Sequence, residues 1–159
     1  MVEDIWLDER QEEAWRAFHA MRIQLLGHLS RRLASQAGMS EAEYEVLVTL
    51  SEAPDHRMRS RDLGRALQWQ RSRLSHQLDR MEKLGLLNRE PCPTDARGCV
   101  AVLTEAGLAS IVQAAKLHVA DVRHCFADVL TPAQLDGLTS AAHAITAHLE
   151  AEHPDDDRG

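Results

Sequence analysis

The clearest hydrophobic pattern of the chain lies near its two ends, where apolar residues recur at intervals of three and four. This spacing predicts helices over about residues 8–36, 104–130 and 131–151. The stripe of the first predicted helix consists of Trp15, Phe18, Met21, Leu25, Leu29 and Leu33. A helix that exposes such a stripe is unstable alone, so the outer segments, residues 1–36 and 104–151, are expected to pack together and to form a dimer.

Three shorter helices are predicted between these outer segments. Ser40 and Glu43 match a capping box at the start of a helix that reaches Glu52. A short helix over about residues 60–67 and a longer one over about residues 70–84 follow, separated by a brief turn.

A β-hairpin is predicted after the helices. Two extended runs, residues 86–92 and 98–103, flank a segment rich in turn-forming residues. The predicted fold is therefore mainly α with a small β-hairpin. Residues 40–103 are expected to form one lobe, and the acidic residues 152–159 a flexible tail.

Charge is distributed unevenly along the chain, which has a net charge of −7. Residues 57–100 contain ten Arg or Lys and five Asp or Glu, a net charge of +5, so the rest of the chain carries −12. A basic segment in an acidic chain is typical of a polyanion-binding surface. A solvated charged face is the alternative interpretation of the charge alone.

The helix predicted over residues 70–84 has two contrasting faces when drawn as a wheel of about 100° per residue. Leu74, Leu78 and Met81 lie on one side. The opposite side carries Trp69, Ser72, Arg73, His76 and Arg80, with Gln77 at its edge. Arginine can bind guanine edges bidentately, and the other polar side chains can contact bases or phosphates, so this face has the chemistry of a DNA-recognition helix.

Two neighbouring segments add cationic groups. The short helix is expected to begin at Ser60, where its free N–H groups, with Arg59 and Arg61 beside them, suit a phosphate. Arg97 lies near the tip of the predicted hairpin and suits the negative potential of a narrow minor groove. Asp95 is expected to hold the Arg97 side chain, although a plain surface ion pair is the alternative.

Several of these segments together resemble the winged helix-turn-helix of the MarR family. The resemblance rests on the sequences LGRAL at residues 63–67 and SRLSHQLDRMEKLGLLNR at residues 72–89, followed by Asp95-Ala96-Arg97 and LTEAG at residues 103–107. It implies a transcriptional regulator that forms a homodimer through its outer helices. Each protomer would place the helix at residues 72–80 in a major groove and Arg97 in a minor groove, on a palindromic operator. Many members are repressors released by a small ligand or by oxidation.

Oxidation has one candidate pair of residues here. Cys92 and Cys99 flank the predicted turn symmetrically, so their thiols are expected to oppose each other across the hairpin, where a strained disulfide could form. Two ordinary reduced thiols are the alternative. No metal site is expected, because no two histidines stand four residues apart on a helix.

A small organic effector is the default expectation from the resemblance. Arg22 and His118 interrupt the apolar stripes of two outer helices, and a buried arginine needs an anionic partner. An anionic or aromatic effector could supply that partner, with Trp15 and His19 lining the same space. An acidic residue from another helix is the alternative partner.

Other classes of protein find little support. The chain shows no catalytic motif and no phosphate-binding glycine loop, so we expect neither an enzyme nor a bound cofactor. No apolar run is long enough to span a membrane and no signal peptide is evident, so a cytoplasmic protein is expected. The remaining alternative is a winged-helix module that binds an acidic protein through its basic face.

Overall fold

The computed structural model describes residues 6–92 and 95–152, except for the side chains of residues 95–97. Six α-helices and three strands occur in this part of the chain. Their order is α1 (Glu9–Ala37), α2 (Glu41–Glu52), β1 (Arg57–Arg59), α3 (Ser60–Ala66), α4 (Arg71–Lys83), β2 (Leu87–Cys92), β3 (Asp95–Leu103), α5 (Glu105–Val122) and α6 (Pro132–Glu152). The mainly α fold with a β-hairpin is thereby confirmed. The chain divides into two compact units between Asp121 and Val122.

The predicted helix ends are confirmed where a backbone or side-chain cap satisfies free backbone groups. Gly38 ends α1 in the left-handed conformation, with φ of 62°. Ser40 and Glu43 form the capping box of α2, in which the Glu43 backbone N–H donates to Ser40 Oγ at 3.3 Å. Thr131 and Gln134 form the same reciprocal pair at the start of α6.

We expect Ser40→Ala to lower the free energy of unfolding by about 1 kcal/mol, because it leaves a backbone N–H of α2 without its side-chain acceptor. Chemical denaturation measures the change. Ser35→Ala is the matched control, since Ser35 is exposed inside α1 and its hydroxyl only donates to the Arg32 carbonyl. Equal stability of the two variants would contradict a capping role for Ser40.

The three strands form one antiparallel sheet with β3 in the centre, between β1 and β2. The strand β1 was not predicted. It is only three residues long and places the half-buried Met58 between two exposed arginines, a pattern too short to show a period. It therefore adds a third strand to the predicted hairpin.

The register of β2 and β3 corrects the prediction for the two cysteines. Cys99 pairs with Pro91, whereas Cys92 pairs with Asp95 after a register shift between Pro91 and Cys92. Cys92 is buried and Cys99 is half-buried, and no disulfide links them. The thiols are therefore not opposite each other, because β3 begins at Asp95, earlier than predicted, and the register shift offsets the ladder.

The core of the first unit lies between the helices α2 to α5 and the sheet. Its largest fully buried side chains are Val46, Leu47, Leu50, Leu63, Leu78, Met81 and Leu87. Burying one such side chain contributes about 1.5–3 kcal/mol. Leu78 and Met81 come from the inward face of α4, so the same packing fixes which face of α4 meets the solvent.

The first turn of α5 lies directly against the turn that follows α4. Thr104 Oγ1 donates to the Gly85 carbonyl at 2.7 Å, and the Thr104 backbone N–H donates to the Leu86 carbonyl at 3.2 Å. Gly107 lies so near that an added Cβ would be 2.0 Å from the Leu86 oxygen. This contact joins the base of the hairpin to an outer helix.

The helix predicted over residues 104–130 is interrupted. The α-helix α5 ends at Val122, and a π-helical turn, Arg123–Ala127, follows it. The wider turn brings the Asp128 backbone N–H to the Arg123 carbonyl at 2.8 Å. Apolar spacing alone cannot distinguish such a turn, because it inserts only one extra residue.

Candidate nucleic-acid interface

The helix α4 presents a polar, cationic face to the solvent. Leu74, Leu78 and Met81 are buried in the core. On the opposite side, four of the side chains selected from the sequence are exposed: Ser72, Arg73, His76 and Arg80. The arrangement gives an arginine-bearing helix face with hydrogen-bond donors and acceptors, held rigidly from behind by the core.

Trp69 lies beside this face and is less exposed than its other members. The wheel placed Trp69 among the exposed residues, but the side chain is half-buried and packs against the core. Trp69 precedes the first residue of α4, so the helical wheel does not describe its direction. The Arg73 guanidinium lies over its ring, 4.0 Å from the centroid, a cation–π contact that restricts the arginine.

Gln77 is also less accessible than the wheel suggested. Its side chain is half-buried, and its Nε2 atom is buried without a hydrogen-bond partner. The reason is its position at the edge of the polar arc, next to the buried side of the helix. Arg80, one turn further on, forms an ion pair with Glu43 of α2 at 3.2 Å.

Acidic residues of α2 lie close to the arginines of α4. Burial raises the pKa of Glu45, the charge of Glu41 raises it further, and the charge of Arg73 lowers it. Glu43 is buried and contacts Arg80. The electrostatic field at the exposed face of α4 therefore includes carboxylates of α2 as well as the arginines.

The start of α3 presents the other predicted phosphate contacts. Arg59 is exposed at the N-cap position, and Ser60 is the half-buried first residue of the helix. Arg61 is exposed, with Asp62 3.9 Å away. The three residues are consecutive, and the backbone N–H groups of Ser60 and Arg61 belong to the first turn of the helix.

The base of the hairpin is fastened to α4 by Arg89 of β2. Its backbone N–H and its Nε donate to Glu82 at 2.9 and 3.0 Å, and its guanidinium also pairs with Asp79. Burial lowers the pKa of Arg89, but the hydrogen bond and charges of the two carboxylates outweigh it and raise the pKa. This clamp links α4 directly to the hairpin base.

A second ion pair crosses the sheet. Arg57 of β1 donates to Glu90 of β2 at 2.7 Å, above the central strand β3. The side chains of Asp95 and Arg97, predicted at the hairpin tip, lie outside the described residues. Their predicted roles in a minor groove stay predictions.

The predicted effector residues fall in two different places. Trp15, His19 and Arg22 are exposed on α1, where the rings of Trp15 and His19 are 6.2 Å apart. Arg22 is exposed in the single chain, and its predicted place in a pocket between dimer helices stays a prediction. His118 of α5 is half-buried and its ring lies 4.6 Å from that of Tyr44 on α2.

Polar contacts near this ring pair connect α5 to α1. The Arg32 guanidinium pairs with Asp121 at 3.1 Å. Burial raises the pKa of Tyr44, and the negative charge of Glu52 raises it further. The Tyr44–His118 ring pair thus joins α5 to α2, and the Arg32–Asp121 ion pair joins α5 to α1.

The described part of the chain contains neither a candidate metal centre nor a candidate membrane span. No group of three or more His, Cys, Asp or Glu side chains there is placed to hold a metal ion. None of the helices described is both long and apolar enough to cross a membrane.

Two features of the interface were not predicted from the sequence, namely the Glu43–Arg80 pair and the Arg89 clamp. Asp79 and Glu82 stand three residues apart on α4, so both can reach one cation beside the helix. That spacing is the only local signal for the clamp. Apart from the capping box, the sequence around Glu43 does not indicate its ion pair with Arg80.

Comparison with known proteins identifies the family. A model of the MarR family matches residues 39–99. No curated protein sequence matches the chain significantly. Among solved structures, AbsC, a MarR family transcriptional regulator from Streptomyces coelicolor, is 41% identical with a TM-score of 0.85, and the match covers 92% of this chain and 98% of AbsC.

Two similar structures contain DNA. Sco3205, a MarR family transcriptional regulator from S. coelicolor in complex with DNA, is 38% identical, with 91% of each chain covered and a TM-score of 0.85. A mutant of MarR from E. coli, complexed with operator DNA, is 25% identical with a TM-score of 0.73, over 82% of this chain and 91% of that one. The matching family model, the extent of these matches and the winged helix-turn-helix fold show that the chain belongs to the MarR family of transcriptional regulators.

Proposed function

We propose that this regulator binds a palindromic operator as a homodimer and recognises its sequence mainly through α4. The observation that carries the proposal is the exposed face of α4, where Arg73 stacks on Trp69 opposite a fully packed core. A guanidinium held in this way reaches a guanine edge with little loss of side-chain entropy. The two relatives whose structures contain DNA support a DNA-binding role.

Each segment of the interface has a distinct part in this proposal. The helix α4 lies in the major groove, where Ser72, Arg73 and His76 contact base edges. Arg59, Ser60 and Arg61 bind the phosphate backbone and set the orientation without reading the sequence. Arg97 enters the adjacent minor groove, with Asp95 orienting it. The Arg89 clamp keeps the hairpin and α4 in one arrangement as they bind.

Apolar surface supports the homodimer. Trp15 is 57% exposed, and further large apolar side chains on α1 and α6 are exposed in the single chain: Phe18, Met21, Ile23, Leu26, Ile145 and Leu149. An exposed stripe of this kind is typical of a subunit interface. Two-fold symmetry would place one α4 helix in each of two half-sites, about one helical turn apart.

Repression released by a small anionic or aromatic molecule completes the proposal. Trp15, His19 and Arg22 offer aromatic and cationic groups on α1, and His118 offers an imidazole against Tyr44. A ligand that separates the Tyr44 and His118 rings would move α5 relative to α2. Such a movement would change the spacing of the two recognition helices, because α5 belongs to the proposed dimer segment.

A selection from random duplexes tests the proposed function. The purified protein, at a fixed near-physiological salt concentration, is expected to enrich an inverted repeat with half-sites about one turn apart. The selection is repeated with each of several small aromatic acids. An acid that is an effector would abolish the enrichment. If no sequence is enriched under any of these conditions, the proposal is contradicted. An acidic protein is then favoured as the partner of the basic face.

A further inference from the structure

Glu43 is a buried acidic residue at the edge of the proposed recognition surface. Only 5% of its surface is exposed. Its Oε2 atom accepts hydrogen bonds from the backbone N–H and the hydroxyl of Ser40, both at 2.8 Å. Its Oε1 atom lies 3.2 Å from a terminal nitrogen of Arg80. Glu43 therefore connects the first turn of α2 to the exposed face of α4.

Arg80 is held by this contact but is not enclosed. Its side chain is 62% exposed, and it lies on the same polar face of α4 as Arg73. A free arginine in this position would neutralise a DNA phosphate and release about 0.9 of a counterion. A carboxylate at 3.2 Å offsets that charge, and its burial prevents it from turning away into the solvent.

We propose that Glu43 is a specificity-determining residue, whose carboxylate holds Arg80 against α2 and withdraws its charge from the DNA phosphates. The proposal rests on the proposed function of α4 as the recognition helix. Binding to random DNA depends almost entirely on phosphate neutralisation, so this pairing weakens it. Base contacts made by Arg73 do not involve Glu43, and the preference for the operator over random DNA increases.

The substitution Glu43→Gln removes the charge of the side chain and leaves the fold of α2 intact. Glutamine serves equally in a capping box, so its amide oxygen can still accept from Ser40 while its carboxylate charge is lost. We expect the variant to bind a duplex of random sequence about three- to eightfold more tightly at 0.1 M salt, with a salt dependence steeper by about 0.9 in log K against log salt. Fluorescence anisotropy of a labelled duplex measures both quantities.

Two further variants separate this effect from a general change. In an Arg80→Gln background, Glu43→Gln is expected to raise the affinity by less than about twofold, because only the repulsion of one carboxylate is lost and no cation is released. Glu41→Gln removes a charge from an exposed residue in the same turn of α2, and its expected effect is below about twofold. A gain in the Arg80→Gln background as large as in the wild-type background would overturn the proposal.

Arg80→Gln alone provides a test that does not depend on the stability of the Glu43 variant. If Glu43 has withdrawn the charge of Arg80, the salt dependence of random-DNA binding falls by less than about 0.3 in log K against log salt. A fall of about 0.9 refutes the inference about Glu43 but not the proposed function. The same holds if a folded Glu43→Gln variant binds random DNA no better than the wild type. A wild-type protein that binds no duplex refutes the proposed function, and this inference with it.

Discussion

Gly107→Ala is expected to destabilise the protein by about 3 kcal/mol, because the added methyl group has no room. The new Cβ would lie 2.0 Å from the Leu86 carbonyl oxygen and 2.9 Å from Leu103 Cδ1. The carbonyl cannot turn aside easily, because it accepts the hydrogen bond from the Thr104 backbone N–H. The helix α5 would have to move away from the turn after α4. Chemical denaturation measures the loss.

Gly137→Ala is the matched control for this substitution. Gly137 lies inside α6, and no atom is within 4 Å of the position that its Cβ would occupy. Alanine is favoured over glycine in a helix by about 1 kcal/mol, so this variant should be as stable as the wild type or more so. A Gly107→Ala protein with unchanged stability would contradict the close contact between α5 and the turn after α4.

Arg73→Ala is expected to weaken binding to the selected operator by about 1–3 kcal/mol, or roughly 5- to 150-fold, if Arg73 contacts a base. Among the described residues Arg73 forms no ion pair, although its charge acts on Glu45 of α2, and its guanidinium stacks on Trp69. The loss should be concentrated at one base position. Titration of the operator and of its single-base variants measures this pattern.

Two controls define the role of Arg73. Trp69→Leu retains an apolar side chain against the core but removes the ring under the guanidinium, so an intermediate loss is expected. Arg16→Ala removes an exposed arginine of α1 that pairs with Glu12, and operator binding should change by less than about twofold. An equal loss on operator and random DNA would show that Arg73 contacts phosphate instead of a base.

Local features of this fold were predictable because they depend on neighbouring residues. The capping box of Ser40 and Glu43 and the buried side of α4 follow from spacing along one helix. The exposed residues of α4 could be selected for the same reason. The half-burial of Trp69 could not be predicted in this way, because Trp69 lies just outside the helix, where the helical period does not apply.

Features that depend on distant segments could not be predicted. The strand β1 exists because Arg57, Met58 and Arg59 pair with β3, which lies about 40 residues later in the chain. The register shift beside Pro91, which separates the two thiols, is a property of the paired strands and not of either sequence alone. The partners of Arg80 and Arg89 are likewise set by how α2, α4 and β2 pack.

The measurement that tests the central claim most directly is the ratio of two dissociation constants at near-physiological salt. One is for the selected operator, and the other is for a duplex of the same length and composition in scrambled order. Sequence-specific recognition by α4 predicts a ratio of at least about 1,000, as is usual for regulators that read base edges. A ratio near one, with both constants rising steeply with salt, would mean that the basic face attracts polyanions without reading sequence.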